Sequence, residues 1–444
     1  MDNPRHSAAK ILCAVYEKDA YANIALVNEI RKNSYNDIDR RFLTEIVYGS
    51  VKMGLTIDWI LNKYMTRPLK KIPPMVRAIL RISVYQLFFM DRVPISAICN
   101  EAVKLTKKYA HQGTANFVNA VLRTAGREKD KAKFPDEEKN KLEFLSLSTG
   151  HPLWMIKRWE ELFGYDETKK LADFNNSEPI LSLRTNTLKV TREELLNELQ
   201  RQNIEAKKSE ITPEGILITK HKSLDEMTII QEGKAQVQDE SSMLAVHVLS
   251  PKEEEFIVDL CAAPGGKSTH IAALMNNRGK VLATDIYEHK IEKINENAKR
   301  LGIDIIETEE LDGRELGKLY ENKADRVLVD APCSGLGVLR RRPDARLKKN
   351  EDEIKKLPKL QLELLESGAK AVKKNGVLVY STCTIEPMEN EEVVKKFLEQ
   401  NSEFELDNTG EFLPIIKRKE KMIQLLPTID NTDGFFIARM IKKG

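Results

Sequence analysis

Residues 256–267 read FIVDLCAAPGGK, and this stretch decides the fold of the carboxyl-terminal part of the chain. It opens with an apolar run of strand type, continues through a tight glycine turn, and enters a helical pattern at Lys267. Gly265 and Gly266 allow a ligand to approach the backbone closely, and the N-terminus of the following helix favours a negative group. A strand, a glycine turn and a helix in this order indicate a ligand-binding α/β domain.

Outward from this stretch, strands and helices alternate. The predicted strands, with helices between them, are Phe256–Leu260, Lys280–Asp285, Ile303–Glu307, Arg326–Asp330 and Gly376–Ser381. Such alternation predicts a parallel sheet with helices on both faces. Met422–Leu426 and Gly434–Ile441 then follow each other without a helix. The fold class is therefore a doubly wound, Rossmann-like α/β domain whose sheet ends in an antiparallel hairpin.

Acidic residues close three successive predicted strands. Asp285 ends the second strand, 20 residues after Gly265, a spacing that suits the diol of a ribose. The chain has neither GxGxxG nor GxxxxGK[ST], so the glycine cradles of dinucleotides and triphosphates are missing. S-adenosylmethionine needs only a short glycine turn and an acid. Asp312, in Leu311-Asp312-Gly313, falls where adenine would lie, and Asp330 ends the fourth strand; taken singly, each could equally be a helix cap.

Three of the five cysteines fall at strand ends around this predicted site. Cys333 and Cys383 should project into one cleft beside the ligand, whereas Cys261 in the glycine turn is expected to pack. Cys13 and Cys99 lie on helical faces and are predicted to be small hydrophobic residues of a core. An odd number of cysteines without close pairs is neither a disulfide framework nor a zinc pattern, so we expect free thiols and no metal site.

Paired cysteines beside a methyl donor suit one chemistry in particular. Carbon 5 of cytosine is too poor a nucleophile to take a methyl group directly, so a thiolate first adds to carbon 6. The second cysteine can assist the elimination that follows methyl transfer. Asp330 is the candidate to hydrogen-bond the base and stabilise the charge that develops.

The segments CAAPGGK, LDG, DAPCSG and STC, in this order, closely resemble the RNA cytosine-C5 methyltransferases over residues 238–444, with a class I methyltransferase fold. This resemblance implies that Cys383 is the nucleophile and that Cys333 assists product release. DNA cytosine methyltransferases attack with the cysteine of their PC motif, so the presence of both motifs favours RNA. The resemblance implies an S-adenosylmethionine site made of Cys261, Ala262, Ala263, Pro264, Gly265, Gly266, Lys267, Asp285, Asp312 and Asp330.

The N-terminal part of the chain differs from the methyltransferase-like part in its net charge and in its spacing of apolar residues. Residues 1–127 carry 20 Lys+Arg and 10 Asp+Glu, a net charge of +10, and the remainder carries 51 and 58, a net charge of −7. Clustered positive charge commonly marks a polyanionic partner, although a solvated basic surface is an even alternative. The predicted helices contain RAILRISVYQL (77–87) and FVNAVLR (117–123), which look like the NusB-type RNA-binding fold.

The union of the two domains is similar to a bacterial family that methylates 16S ribosomal RNA. It implies one target cytosine, cytosine 967, in 16S rRNA that is free or partly assembled. The predicted organisation is a NusB-like helical domain (1–127), a charged linker (128–143), a small α+β accessory RNA-contacting module (144–237) and the methyltransferase domain (238–444). We expect a cytoplasmic protein with no membrane partner, because the chain shows neither a signal peptide nor an apolar span. The paired cysteine motifs argue against a DNA partner, and we expect a monomer because nothing in the sequence demands a partner chain.

Two alternatives remain open from the sequence. The first is the same reaction on transfer RNA or on 23S rRNA, since substrate choice depends on surfaces that no motif reports. The second is an RNA-binding or antitermination factor that keeps the methyltransferase fold as a scaffold; such a factor would be free to lose Cys383, Asp330 or Gly265. The basic run Arg340–Arg342 could bind RNA phosphates or form a solvated loop.

Overall fold

The structure is a computed structural model that describes residues 3–33, 35–220 and 227–444. The chain divides into two compact units, and each is described by itself. The first unit comprises Met1–Ser177 and Leu339–Lys349, and the second comprises Glu178–Val338 and Asn350–Gly444.

The helices are, in chain order, α1 Pro4–Glu17, α2 Ala22–Lys32, α3 Asp37–Lys52, α4 Gly54–Tyr64, α5 Pro74–Phe89, α6 Ile95–Tyr109, α7 Gln112–Arg127, α8 Lys141–Thr149, α9 Leu153–Phe163, α10 Tyr165–Asn176, α11 Arg192–Arg201, α12 Thr228–Gln231, α13 Glu240–Leu249, α14 Gly266–Leu274, α15 Glu288–Leu301, α16 Leu316–Leu319, α17 Ala345–Lys348, α18 Glu351–Ile354, α19 Leu357–Ala371, α20 Glu391–Gln400 and α21 Pro427–Asp430. The strands are β1 Leu181–Thr185, β2 Glu205–Lys208, β3 Gly215–Lys220, β4 Ala235–Val237, β5 Phe256–Asp259, β6 Lys280–Asp285, β7 Ile306–Glu310, β8 Ala324–Asp330, β9 Val372–Thr382, β10 Phe404–Leu406, β11 Met422–Leu425 and β12 Phe435–Lys442.

The first unit is helical, as the sequence predicts. Its central helix, α5, begins with a proline, whose missing N–H is not needed in the first turn of a helix. Residues Ala78–Leu87 of α5 are all buried, because α1, α3, α4, α6 and α7 pack around this helix. A helix that is buried on every side is typical of the centre of a bundle.

The segment Leu339–Lys349 belongs to this helical unit, although it follows the DAPCSG motif in sequence. Arg346 is buried, and its guanidinium donates hydrogen bonds to the Asn176 side chain (2.8 Å) and the Asn175 carbonyl (2.9 Å). Burial lowers its pKa to about 9. Arg340 is 8% exposed and stacks 4.1 Å from the ring centroid of Phe174, so the expectation that it lies in a solvated loop is wrong. Of the run Arg340–Arg342, Arg342 is the exposed member.

The second unit begins with a small antiparallel sheet in the order β2-β3-β1-β4. Helix α11 packs against β2 and β3, and Thr191 and Glu194 form a reciprocal capping box at its start. Its core contains Leu183, Leu195 and Ile216. Alternating apolar residues over 180–185 and 215–219 predict strands that correspond to β1 and β3, and the pattern over 192–202 predicts the helix α11. The same patterns miss β2, which is polar and lies at the edge of the sheet, and β4, which has three residues.

The large sheet has the order β10-β12-β9-β8-β5-β6-β7, with β11 paired to β12. Strands β5 to β9 are parallel to one another, whereas β12 runs antiparallel to its three partners β9, β10 and β11. The predicted Rossmann-like sheet with an antiparallel C-terminal hairpin is therefore confirmed. Among the described residues, none of the helices combines the length and the apolarity that a membrane crossing requires.

Two predicted elements differ in detail. The third parallel strand is Ile306–Glu310 and not Ile303–Glu307, because this strand lies at the edge of the sheet, where acidic side chains such as Glu309 and Glu310 are tolerated. The sequence pattern near Glu353–Lys373 predicts one long helix. The structure instead has two helices there, α18 and α19, and Pro358 lies in the first turn of α19.

Candidate active site

The site lies at the carboxyl ends of the parallel strands, where the strand order reverses between β5 and β8. This is where open α/β sheets bind ligands. The turn after β5 requires a glycine at position 265, which has φ +93°, a left-handed conformation. A Cβ there would also lie 3.1 Å from the backbone of Ile294. Asn297 holds the turn by donating a hydrogen bond to the carbonyl of Pro264 (2.8 Å).

Asp259, which the sequence analysis did not select, lies beneath this turn and is fully buried. Its Oδ2 accepts a hydrogen bond from Ser268 (2.6 Å), but its Oδ1 has no hydrogen-bond partner among the residues that the structure describes. Burial raises the pKa of this carboxyl to about 7. A buried, unpaired carboxyl oxygen beside a glycine turn is suited to receive the ammonium group of an amino-acid ligand.

The acids at the next two strand ends have different surroundings. Asp285 is 7% exposed and accepts long hydrogen bonds from the Tyr287 amide and the Lys290 ammonium, both at 3.3 Å. Asp312 caps a short 3₁₀ turn and is held by the guanidinium of Arg314 at 2.6 and 3.0 Å, and these hydrogen bonds lower its pKa. Asp285 is thus only weakly engaged, whereas Asp312 is already paired with a side chain of this chain.

Cys333 and Cys383 are brought together, as the sequence predicts. Their Sγ atoms lie 3.2 Å apart, although 50 residues separate them. The register of β8 on β9 places Asp330 beside Ser381, so the two segments leave the sheet side by side. Gly337 allows the close approach, because its N–H donates to the Cys383 carbonyl (3.1 Å) and a Cβ there would lie 2.0 Å from the carbonyl oxygen of Gly434.

Lys267 and Asp330 form an ion pair of 2.7 Å beside the thiols. The other oxygen of Asp330 accepts a hydrogen bond from Ser381 (2.7 Å), so both of its oxygens are engaged. Burial opposes the charge of Lys267, but the adjacent Asp330 outweighs it and raises the lysine pKa, with a smaller contribution from Cys383. Lys267 therefore supplies a positive charge next to Cys383, a role that the sequence analysis did not assign to it.

The remaining cysteines lie where packing was expected. Cys99 is buried in the helical core, and Cys13 packs against the same core. Cys261 packs against the core of the large sheet, and burial raises the pKa of its thiol. A thiol with a raised pKa is a poor nucleophile near neutral pH.

A second titratable group, Glu214, His247 and His270, lies in the same unit. Oε1 of Glu214 is 3.0 Å from Nε2 of His247 and 2.9 Å from Nε2 of His270. Glutamate and histidine are ligand types for metals, and these atoms all lie within 4.8 Å of one another. The positive guanidinium of Arg184 also acts on this carboxylate. Because the carboxylate lies against both imidazoles and its charge is opposed by the Arg184 guanidinium, we interpret the group as a polar cluster that fastens α13 and α14 to the small sheet.

The reversed terminal strand, the glycine turn and the strand-end acids define a class: a Rossmann-like methyltransferase domain. Comparison with known proteins agrees with this class. Residues 246–441 match the family model described as 16S rRNA methyltransferase RsmB/F, residues 2–127 match the NusB family, and residues 151–225 match the ferredoxin-like domain of RsmF/B-like methyltransferases.

Relatives match over the full chain. The chain is 39% identical to the probable ribosomal RNA small subunit methyltransferase B of Bacillus subtilis (strain 168), over 99% of each chain. It is 36% identical to the corresponding probable protein of Synechocystis sp., over 100% of each. The chain therefore belongs to the RsmB/F family of 16S rRNA methyltransferases and carries the NusB and ferredoxin-like domains with the methyltransferase domain.

Two solved structures have folds similar to that of this chain. The crystal structure of PH0851 superposes with a TM-score of 0.86 at 31% identity and covers 100% of this chain and 99% of that chain. NSun6 from Pyrococcus horikoshii, solved with SFG, gives a TM-score of 0.60 at 27% identity, over 66% of this chain and 98% of that chain.

Proposed function

We propose that this protein transfers the methyl group of S-adenosylmethionine to carbon 5 of a single cytosine in 16S rRNA, cytosine 967 by resemblance, through a covalent bond between Cys383 and carbon 6. The observation that carries the proposal is the approach of two thiols to 3.2 Å beside the Lys267–Asp330 ion pair. A nucleophilic addition alone requires one cysteine, whereas two adjacent cysteines can serve an addition and the elimination that follows it.

The residues of the ligand turn fit S-adenosylmethionine. The unpaired Oδ1 of Asp259 offers an acceptor for an ammonium group, the backbone from Cys261 to Lys267 approaches closely at Gly265, and Asp285 offers a carboxylate for a ribose diol. When bound, this cofactor supplies an electrophilic methyl group. The SFG in the NSun6 structure is an analogue of S-adenosylmethionine and supports the same choice.

The chain's own residues would act on the base in order. The Cys383 thiolate, favoured by the adjacent Lys267 ammonium, forms a bond to carbon 6 and moves the electron pair of the C5–C6 double bond towards carbon 5. Asp330 hydrogen-bonds the ring edge and stabilises the charge that develops. After methylation the proton of carbon 5 leaves to a base, the double bond forms again, and the bond between Cys383 and carbon 6 breaks with the help of Cys333.

Recognition of the RNA is assigned to the basic helical domain (1–127), assisted by the accessory module (144–237). The target base must leave its stack to reach the thiols, as is usual for enzymes that modify a base. We propose that the protein acts as a cytoplasmic monomer.

The test is bisulfite mapping of ribosomal RNA from cells that lack the protein, complemented with the wild-type chain or with Cys383→Ala. We expect one cytosine of 16S rRNA to lose its methyl mark without the protein and to regain it only with the wild type. A mark on transfer RNA or on 23S rRNA would replace the proposed substrate. An unchanged pattern in cells that lack the protein would refute the reaction, and restoration of the mark by Cys383→Ala would refute the role of Cys383.

A further inference from the structure

Cys333 and Cys383 occupy similar positions at the site, so their surroundings must determine which of the two thiols keeps its proton. Cys333 and Cys383 are both half-buried, lie at neighbouring strand ends and touch each other at 3.2 Å. When two titratable groups interact this closely, their two protons leave in two steps that belong to the pair, and the surrounding charges decide which sulfur keeps the remaining, shared proton after the first has left.

The structure places one buried carboxylate against both cysteine segments. Glu389 is completely buried in a short 3₁₀ turn six residues after Cys383. Its Oε2 accepts hydrogen bonds from the backbone N–H of Ser334 (2.8 Å) and from Nε2 of Gln361 (2.9 Å). Its Oε1 accepts a longer hydrogen bond from the hydroxyl of Thr384 (3.4 Å). Ser334 follows Cys333 and Thr384 follows Cys383, so this carboxylate joins the two segments.

Further hydrogen bonds around Glu389 also join the Cys333 segment to the Cys383 segment. The Nε2 of Gln361 also donates to the carbonyl of Pro332 (3.0 Å), which precedes Cys333. The hydroxyls of Ser334 and Thr384 lie 2.8 Å apart. The backbone carbonyl of Glu389 accepts a hydrogen bond from Tyr380 on β9 (2.6 Å). Residues on both sides of Cys333 and the residue after Cys383 are therefore held by a single group built around Glu389.

Glu389 binds the Cys333 segment more closely than the Cys383 segment, because its carboxylate lies 2.8 Å from the amide nitrogen of Ser334 and 3.4 Å from the hydroxyl of Thr384. The pKa of Cys333 is raised well above its usual value by its hydrogen bond with Cys383, then by burial, by the Cys383 charge and by Glu389. Lys267 instead interacts with Cys383. Charged and titratable side chains around the pair include Lys267, Asp330, Tyr380 and Glu389. Burial raises the pKa of Glu389, and its hydrogen bonds with Ser334, Gln361 and Thr384 oppose this shift.

We propose that Glu389 is a positioning residue that holds the two cysteine segments in contact and, through its negative charge, keeps the shared proton on Cys333, so that Cys383 is the thiolate. Its carboxylate contacts the residues that follow the two cysteines, and it would act through the cysteines. The proposal rests on the proposed function for the role of the Cys383 thiolate, but the proton's place can be measured without RNA.

The experiment is alkylation of the full-length protein with limiting iodoacetamide between pH 6 and pH 10, with both cysteine peptides quantified by mass spectrometry. In the wild type we expect Cys383 to react faster. In Glu389→Gln, which removes the charge and keeps the shape, the ratio of Cys333 to Cys383 labelling should rise about tenfold, the effect of one pKa unit. Glu389→Asp, which restores the charge, should return most of the preference for Cys383. The matched control is Glu392→Gln, an exposed carboxylate of α20, which should leave the ratio unchanged.

An unchanged labelling ratio and pH profile in folded Glu389→Gln would overturn the proposal, since a merely structural role would lower stability without moving the proton. If Glu389→Gln does not fold, the test uses Gln361→Met, which removes the hydrogen bond from Gln361 to the Glu389 carboxylate. This variant should shift the labelling ratio in the same direction by at least about twofold. An unshifted ratio would count against the proposal. A shifted ratio in Glu389→Gln together with no methylation of 16S rRNA by the wild type would refute the proposed function alone, whereas methylation by the wild type with an unshifted ratio in Glu389→Gln would refute the role of Glu389 alone.

Discussion

At the scale of single residues, the proposal gives Cys333 and Cys383 different roles in the reaction. If Cys333 assists elimination, its removal should stop the reaction after the bond to carbon 6 has formed. We expect Cys333→Ala to accumulate a covalent protein–RNA complex that survives denaturing electrophoresis, and Cys383→Ala to form none. Cys13→Ala, a cysteine of the helical core, is the control and should turn over normally. If Cys333→Ala released product at the wild-type rate, its assigned role would be wrong.

Asp285 is the residue on which the cofactor assignment can be tested most directly. Its carboxylate has only long hydrogen bonds of 3.3 Å, so it can bind a ligand hydroxyl without losing a strong partner. We expect Asp285→Ala to weaken S-adenosylmethionine binding about 10- to 100-fold, the usual worth of hydrogen bonds to a charged group. Isothermal titration calorimetry measures this directly. Asp304→Ala, an exposed carboxylate beyond α15, serves as the control, and equal affinities for the two variants would contradict the assignment.

At the scale of elements, the cluster of Glu214, His247 and His270 links the start of β3 to α13 and α14. Burial lowers the pKa of His270 to about 4, and the neighbouring histidines lower the pKa of Glu214 despite the opposing effect of its burial. A group whose pKa is lower in the folded state stabilises the fold above its unfolded value and loses that contribution as the pH falls. His270 loses its contribution between about pH 6.5 and 4, and Glu214 loses its own below about pH 4.5.

We therefore expect the melting temperature to fall as the pH drops from 7 to 5, and His270→Gln to flatten this dependence, since the titrating imidazole is gone. The measurement is thermal unfolding followed by circular dichroism in buffers of matched ionic strength. The exposed His289→Gln should keep the wild-type slope. A slope in His270→Gln as steep as that of the wild type would show that other groups govern the acid sensitivity.

The elements also show where sequence reasoning succeeds. Buried strands such as β5, β6 and β8 are apolar runs with clear ends, so their positions were predicted closely. The edge strand β7 was misplaced by three residues, because an edge strand does not need an apolar pattern. The role of Lys267 was not predicted, because it depends on Asp330, 63 residues away, and on the ion pair that the fold creates.

At the scale of the whole molecule, residues 1–127 have a positive net charge and the rest of the chain a negative one, and we expect this difference to direct RNA to the helical domain. The basic residues Arg67, Lys70 and Lys71, between α4 and α5, are all exposed. Each phosphate contact contributes about 0.7 to 0.9 to the slope of log affinity against log salt. Replacing all three with Gln should weaken binding to a 16S rRNA fragment and reduce this slope by about 2, as measured by filter binding.

The control for this charge removal is the exposed set Lys374, Lys395 and Lys396, in the acidic catalytic part, also replaced by Gln. Both variants lose the same charge, so a purely global effect would weaken binding equally in both. A larger loss for the helical-domain variant would place the RNA on that domain, and equal losses would contradict the assignment.

By itself, the sequence determined the domain types, the position of the glycine turn at a strand end and the two cysteines to which the proposal assigns the reaction, because these features depend on local pattern and on motif order. Tertiary structure decided how those residues combine. The register of β8 on β9 sets Asp330 beside Ser381 and brings the two thiols to 3.2 Å. It also engages both oxygens of Asp330 and places Glu389 under both cysteine segments. Such pairings join residues far apart in the chain, and their distances follow from sheet register and packing, which no local pattern encodes.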